Sequence, residues 1–294
     1  MELFHRNHTH RNAHQGNSAK YLSLPLIIWL VVFVIAPLLL VVYYGFTVKE
    51  PDGTMSFSLA NFARFADPLY LKVVVRSLKI AFISTLACLL IGYPVAYIMS
   101  RSSSKMRNII IMLILMPMWM NFMLRTYAWL TLLEKNGIIN SIIASFGFEK
   151  LHFLTSEGAV ILGTVYNFLP FMIMSIYMVL IKLDNSLLEA AYDLGATPFQ
   201  RFTKIIIPFS IPGVLSGISM VFVPSVTTFA ISQYLSSGKI QLIGDTIEKQ
   251  FGAANDWNFG AAISLVVMII VMLSMFAINK VDSTEDLGER RMIM

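Results

Sequence analysis

The sequence predicts an all-α, polytopic membrane protein with six spanning helices, and three observations carry that prediction. Hydrophobic residues make up 56% of the chain and charged residues only 13%, against roughly a quarter charged in soluble domains. The apolar residues fall into six blocks, each near the ~20 residues a helix needs to cross a bilayer. Lysines and arginines gather in alternate connections between those blocks, the pattern that orients spanning helices. The net charge of +5 is therefore a topology signal. No RNA-binding aromatic motif or basic stripe accompanies it, and no nucleic-acid partner is expected.

Residues 1–20 form a basic, histidine-rich tail, in which His5, His8, His10 and His14 match no defined metal-ligand spacing. The first block, 24–46, is too long for a signal peptide, and no small-x-small site follows "VVYYGF". It reads as a retained anchor, with Tyr43 and Tyr44 suited to an interfacial belt; with its outer loop it occupies residues 21–70. The remaining blocks, 80–99, 109–132, 159–181, 211–231 and 259–279, fall within 71–280, and 281–294 form a closing tail. The single cysteine, Cys88, lies inside the second block and reads as a small buried residue.

Cations set the orientation. Arg6, Arg11 and Lys20 precede the first block, "SRSSSKMRN" carries three in nine residues, Lys182, Arg201 and Lys204 flank the fourth connection, and Lys280, Arg290 and Arg291 follow the last block. The other connections are longer and hold Lys49, Arg64, Lys72 and Arg76, then Lys135 and Lys150, then Lys239 and Lys249. Both termini and the second and fourth loops are thus expected in the cytoplasm.

Pro37, Pro117, Pro170 and Pro224 fall within spans. Each removes a helix hydrogen bond, and such breaks are frequent where helices line a pathway or bend. The chain has no HExxH, GxSxG or GxxxxGK motif, so neither metalloprotease, serine hydrolase nor ATPase chemistry is expected of it. No carboxylate lies in any block, which sets it apart from ion-coupled carriers. Arg125 is the one cation deep in a block. It follows the inner end of its span by about 16 residues, roughly 24 Å of straight helix, which places it near the outer interface.

The fourth loop contains "LLEAAYDLGATPFQRFTKIIIP". Leu187, Leu188, Ala191 and Leu194 recur at helical spacing, Gly195 is placed to end the helix, and Pro198 starts a new one. Pro208 and Pro212 are expected to bend the chain into the fifth span. The result is a short charged helix across the cytoplasmic face, tied to two spans.

Glu189-Ala190-Ala191, three residues, Gly195, nine residues, Ile205, one residue, then Ile207-Pro208 resembles the EAA loop of ABC-importer permeases. Ile207 for leucine is the single departure. The resemblance covers about residues 71–280 and implies a type I ABC importer permease (MetI-like) fold. It further implies that Glu189, Ala190, Ala191, Asp193, Gly195, Ile205 and Pro208 couple to a pair of ATPase subunits. Those subunits would bind ATP and Mg, leaving this chain non-catalytic and without a cofactor of its own. Longer stretches, including "MNFMLRTYAWLTLL" and "DWNFGAAISL", resemble permeases of spermidine/putrescine importers. That narrower likeness implies a second homologous permease, an extracytoplasmic polyamine-binding protein and a bacterial inner-membrane location. Other importer cargoes (amino acids, sugars, inorganic anions) remain open alternatives. A membrane-embedded enzyme is disfavoured by the missing motifs, and a pathway-free assembly subunit is a further alternative. For a polycation, aromatic faces can line a passage: Trp119, Tyr127, Trp129, Tyr166 and Phe229 are candidates. Asn121, Asn167, Thr227, Thr228 and Gln233 are polar options, and Arg125 is a minority substrate contact.

Overall fold

The computed structural model describes residues 24–50 and 52–292, with side chains through residue 278 and at Lys280. His5, His8, His10 and His14 lie outside the described residues. The first helix, α1 (Leu24–Gly45), is exposed along most of its length. It packs on α12 through its second half, Ala36–Gly45, where a Cβ on Gly45 would stand 2.6 Å from Leu265 Cδ1. Ahead of Pro37 the helix widens into a π turn, Val31–Ile35, closed by Ala36 N–H donating to Val31 O. The wider turn removes the clash between a proline ring and the carbonyl four residues back.

A small hairpin, β1 (Thr47–Lys49) and β2 (Met55–Phe57), pairs Thr47 with Phe57. With α2 (Ala60–Phe65) it caps one end of the bundle. Asn258 Nδ2 donates to Thr47 O at 2.7 Å, and Arg64 pairs with Asp256 at 2.8 Å. α3 (Pro68–Arg101) is capped by Asp67, whose Oδ1 accepts from Leu69 N–H at 2.8 Å. This helix starts well before the block at 80–99. Lys72, Arg76 and Lys79 hide its first turns from any reading based on apolar content, and Glu157 pairs with Lys79 at 2.7 Å and with Arg76 at 3.7 Å.

The third span departs from the straight helix expected over 109–132. α4 (Ser104–Leu115) runs into a 3-10 turn (Met116–Trp119) at Pro117, the chain extends at Met120, and α5 (Phe122–Leu133) and α6 (Ile138–Ser145) follow. Ser104–Trp119 and Phe122–Ser145 meet at 95°. A straight-helix ruler therefore does not apply to Arg125. α7 (Glu157–Leu180) stays continuous through Pro170. α8 (Asn185–Asp193) is the loop helix. α9 (Pro198–Thr227) absorbs Pro208 through a π turn, Phe202–Ile206, and stays helical past Pro212. It stops at Thr228, inside the block at 211–231, and α10 (Ala230–Leu235) restarts the chain. α11 (Ile243–Phe251) precedes α12 (Trp257–Met292), whose backbone helix runs through the segment expected as a separate tail.

The centre is α3 packed on α7 and α9 around Cys88, Ala96, Met99, Met172, Ile176, Leu180 and Val221. Helices in lipid gain little from the hydrophobic effect, so close packing decides their pairing. Gly213 and Gly217 form a small-xxx-small face on α9. A Cβ at Gly213 would lie 2.9 Å from Ser175 O and 3.1 Å from Ile176 Cα, so α7 approaches there backbone to backbone.

Candidate functional site

The charged loop is built by its caps. Asp184 Oδ1 accepts from Ser186 N–H at 3.0 Å and starts α8; this bond holds the Asp184 carboxyl below its ordinary value. At the other end Gly195 takes φ +81°. Gly195 N–H donates to Tyr192 O at 2.8 Å and Ala196 N–H to Ala191 O at 2.9 Å, the paired bonds of a Schellman closure. Thr197 and Gln200 then form a reciprocal cap, with Gln200 N–H to Thr197 Oγ1 at 3.3 Å and Thr197 N–H to Gln200 Oε1 at 2.8 Å. Pro198 occupies the first turn, where a missing N–H costs nothing.

Both roots of the loop are sunk in the core. Leu183 and Ile206 are buried in the same cluster as Met99 and Leu180. Phe202 stands edge-on to Tyr97 at 5.6 Å and to Tyr93 at 6.0 Å, both on α3. Leu188 packs inward, while Leu187, Glu189, Ala190, Tyr192 and Asp193 face out and Leu194 is 88% exposed. Ile205 is half-buried and Pro208 exposed at the start of the α-helical part of α9. A stiff, exposed helix is thereby fixed to three spanning helices, so a sideways force on α8 acts on α7, α9 and α3 together. Beside it opens a recess of about 650 Å³ lined by Arg101, Glu189, Tyr192, Asp193 and Arg201, among others. Sequence reasoning did not connect Arg101 with this loop. Its only signal was its place in the cation-rich connection "SRSSSKMRN" that follows the second block.

The pathway candidates divide. Tyr127 lies 4.8 Å from Tyr234, whose hydroxyl is 3.5 Å from Met123 Sδ, joining α5 to α10. Tyr234 was not singled out in the sequence. Trp129 and Tyr166 meet edge-on at 5.3 Å. Trp119 is 85% exposed in the third-span break. Asn121 there caps α5, accepting from Met123 N–H at 2.8 Å. The Arg125 guanidinium carbon is 5.9 Å from the Phe122 ring centroid. Thr227, Thr228, Phe229 and Gln233 surround the second break, between α9 and α10. Asn167 does not join them: it is only 3% exposed and donates to Gly163 O at 2.9 Å within its own helix.

One carboxylate that sequence reasoning passed over packs behind the second break. Asp245 Oδ2 accepts from Ser232 Oγ and from Leu242 N–H, each at 2.7 Å. Burial pushes its carboxyl up to about 6, against those hydrogen bonds, which lower it. Next to it, a Cβ on Gly244 would meet Thr227 O at 2.3 Å, so α11 is wedged against the carbonyls that the break leaves open.

The chain matches, over residues 14–283, the family described as binding-protein-dependent transport system inner membrane component. It is similar to the permease protein PotB of the spermidine/putrescine transport system of Haemophilus influenzae, 38% identical over 252 residues, covering 84% of this chain and 88% of that one. The Escherichia coli PotB is 39% identical over 249 residues, covering 83% and 90%. The Escherichia coli inner membrane ABC transporter permease protein YdcU is 30% identical over 279 residues, covering 89% and 88%. A solved bacterial ABC transporter involved in the import of the acidic polysaccharide alginate superposes with a TM-score of 0.78 at 16% identity, covering 91% of this chain and 95% of that one. The MetNI methionine ABC transporter superposes at 0.56 with 18% identity, covering 74% and 97%. At such identities the two structures speak for a shared fold, that of type I ABC importer permeases. Relatives aligned nearly end to end and a family match over most of the sequence lead to one conclusion: this multi-pass membrane chain belongs to the binding-protein-dependent transport system inner membrane components.

Proposed function

We propose that this chain is one of two homologous permease subunits that form the pathway of an ATP-driven polyamine importer in the bacterial inner membrane. The observation that carries the cargo is the 38–39% identity, over more than four fifths of the chain, to permeases named for spermidine and putrescine transport. The loop geometry supports the mechanism. α8 sits across the end of the bundle opposite the capping hairpin, with its roots in the core and its outer face bare. In this reading α8 lies in the cytoplasm, as do both termini, and docks on an ATPase pair that binds ATP and Mg. Closure of that pair drives the bundle outward to receive a polyamine from an extracytoplasmic binding protein. The chain itself is non-catalytic. ATP provides the difference in binding energy between the two states. The exposed Trp119 and the Tyr127–Tyr234 pair offer faces that attract ammonium groups at about 0.5–2 kcal/mol each, enough to favour passage without trapping the cargo.

ATP-dependent uptake by the complete complex in proteoliposomes tests the cargo, with labelled spermidine and putrescine set against an amino acid, a sugar and sulfate. Saturable polyamine uptake that the other solutes do not inhibit is expected. Uptake of one of those solutes in preference to the polyamines would refute the cargo and leave the importer reading in place.

A further inference from the structure

We propose that Arg101 and Arg201 form a seat for a carboxylate of the ATPase subunit, so that the docking surface includes the end of the second span as well as the coupling helix. The inference rests on the importer reading above and adds a contact from outside the EAA loop.

Arg101 is the last residue of α3, and its Nη1 donates to Asn185 Oδ1 at 2.5 Å, tying the second span to the first residue of α8. Its Nε and Nη2 are shielded from solvent and donate to no acceptor among the described residues. Arg201 stands across the same recess with its guanidinium carbon 5.3 Å from the Tyr192 ring centroid, and its Nε is likewise without an acceptor. A shielded donor left unpaired is costly, and a planar guanidinium is shaped to take a carboxylate on two nitrogens at once. Both arginine side chains line the recess.

Charge narrows the occupant. Glu189 and Asp193 line the recess together with the two arginines. Yet the ion pairs among the described residues, Arg64–Asp256, Arg76–Glu157 and Lys79–Glu157, all lie at the far end of the bundle. The loop thus presents both signs unpaired on one small surface. A phosphate headgroup entering the recess would face two carboxylates at close quarters. A protein surface with its own acid and base answers both signs, and in an importer the protein on this face is the ATPase.

The test uses the complex of this chain, its partner permease and the ATPase subunit in nanodiscs, with the dissociation constant of the ATPase measured for wild type, R101Q, R201Q and R101E. R101Q and R201Q are each expected to weaken binding roughly tenfold, and R101E more. Size-exclusion profiles identify any variant that fails to assemble for folding reasons, and R201Q, which leaves the Arg101–Asn185 bond in place, keeps the comparison valid. In a second measurement, a zero-length carbodiimide is expected to join the amine introduced by R101K to an aspartate or glutamate of the ATPase, located by peptide mapping. Unchanged affinity in both glutamine variants overturns the seat while the wild-type complex still upholds the importer reading. A wild-type chain that binds no ATPase overturns both. A defect that appears in phosphatidylglycerol discs and vanishes in phosphatidylcholine discs assigns the arginines to lipid and also overturns the seat.

Discussion

Gly195 offers a clean perturbation of the coupling loop. Its φ of +81° lies in the left-handed region, and nothing stands within 4 Å of where a Cβ would be. A side chain therefore has room, and the whole cost of adding one falls on the backbone, about 1–2 kcal/mol for an L-residue in this conformation. That corresponds to a shift of roughly 5- to 30-fold in the population of correctly closed loops. G195N is expected to cost less than G195A, because asparagine tolerates the left-handed region. G195P is expected to cost most: its φ is fixed near −65°, and it deletes the donor of the 2.8 Å bond to Tyr192 O. The assay compares ATP hydrolysed per polyamine taken up, with membrane insertion followed by immunoblot. Insertion should be unchanged throughout, and coupling should fall in the order Gly, Asn, Ala, Pro. A G195P complex that couples like wild type, or alanine and asparagine variants that cannot be told apart, would refute the reasoning.

Other consequences follow from the packing. G213A should lower the melting temperature of the detergent-purified complex more than G217A does. At 213 the new Cβ meets Ser175 O and Ile176 Cα, which cannot yield, whereas at 217 its nearest neighbour is Met172 Sδ at 2.7 Å, the end of a flexible side chain. Overpacking of the first kind costs about 1–3 kcal/mol, and the reverse order would show that α7 and α9 do not meet as described. D184A removes the cap on Ser186 N–H and should cost about 1 kcal/mol of α8 stability, seen as faster amide exchange confined to the first turn of that helix. Asp245, with a folded value of about 6 against an ordinary 3.8, favours its protonated form when folded. Its stabilising contribution is complete below the ordinary value and is lost as pH rises through about 6. Allowing for its partial exposure, the swing is on the order of 2 kcal/mol. Protection of the α11 amides, corrected for intrinsic exchange, should therefore rise from pH 7.5 to pH 5 in wild type and stay level in D245N. Identical profiles would contradict the burial argument.

Much of this architecture was legible in the residues alone, and the reason is local. Block length reports the bilayer's thickness, so the fourth span and α12 appear near their expected starts. The signals at Gly195 and Pro198 act over a few residues, and the loop helix ends and the next begins as that chemistry dictates. The third and fifth spans were misjudged for a matching reason. Hydropathy counts apolar residues without direction, so a chain that turns by 95° at Met120–Asn121, or breaks at Thr228, scores like a straight one. The start of α3 was missed because Lys72, Arg76 and Lys79 break the apolar run while remaining good helix formers.

The sequence by itself determined the class of protein, the number of membrane blocks and the identity of the charged loop, because composition, apolar run length and cap chemistry depend on near neighbours. Only the tertiary structure decided that Asn167 is buried, that Tyr127 meets Tyr234, and that Arg101 reaches the loop helix through Asn185, 84 positions along the chain. Those contacts depend on how closely helices approach one another. In lipid that approach is set by where the backbone lacks a side chain, as at Gly213, and no window along the sequence reads that distance.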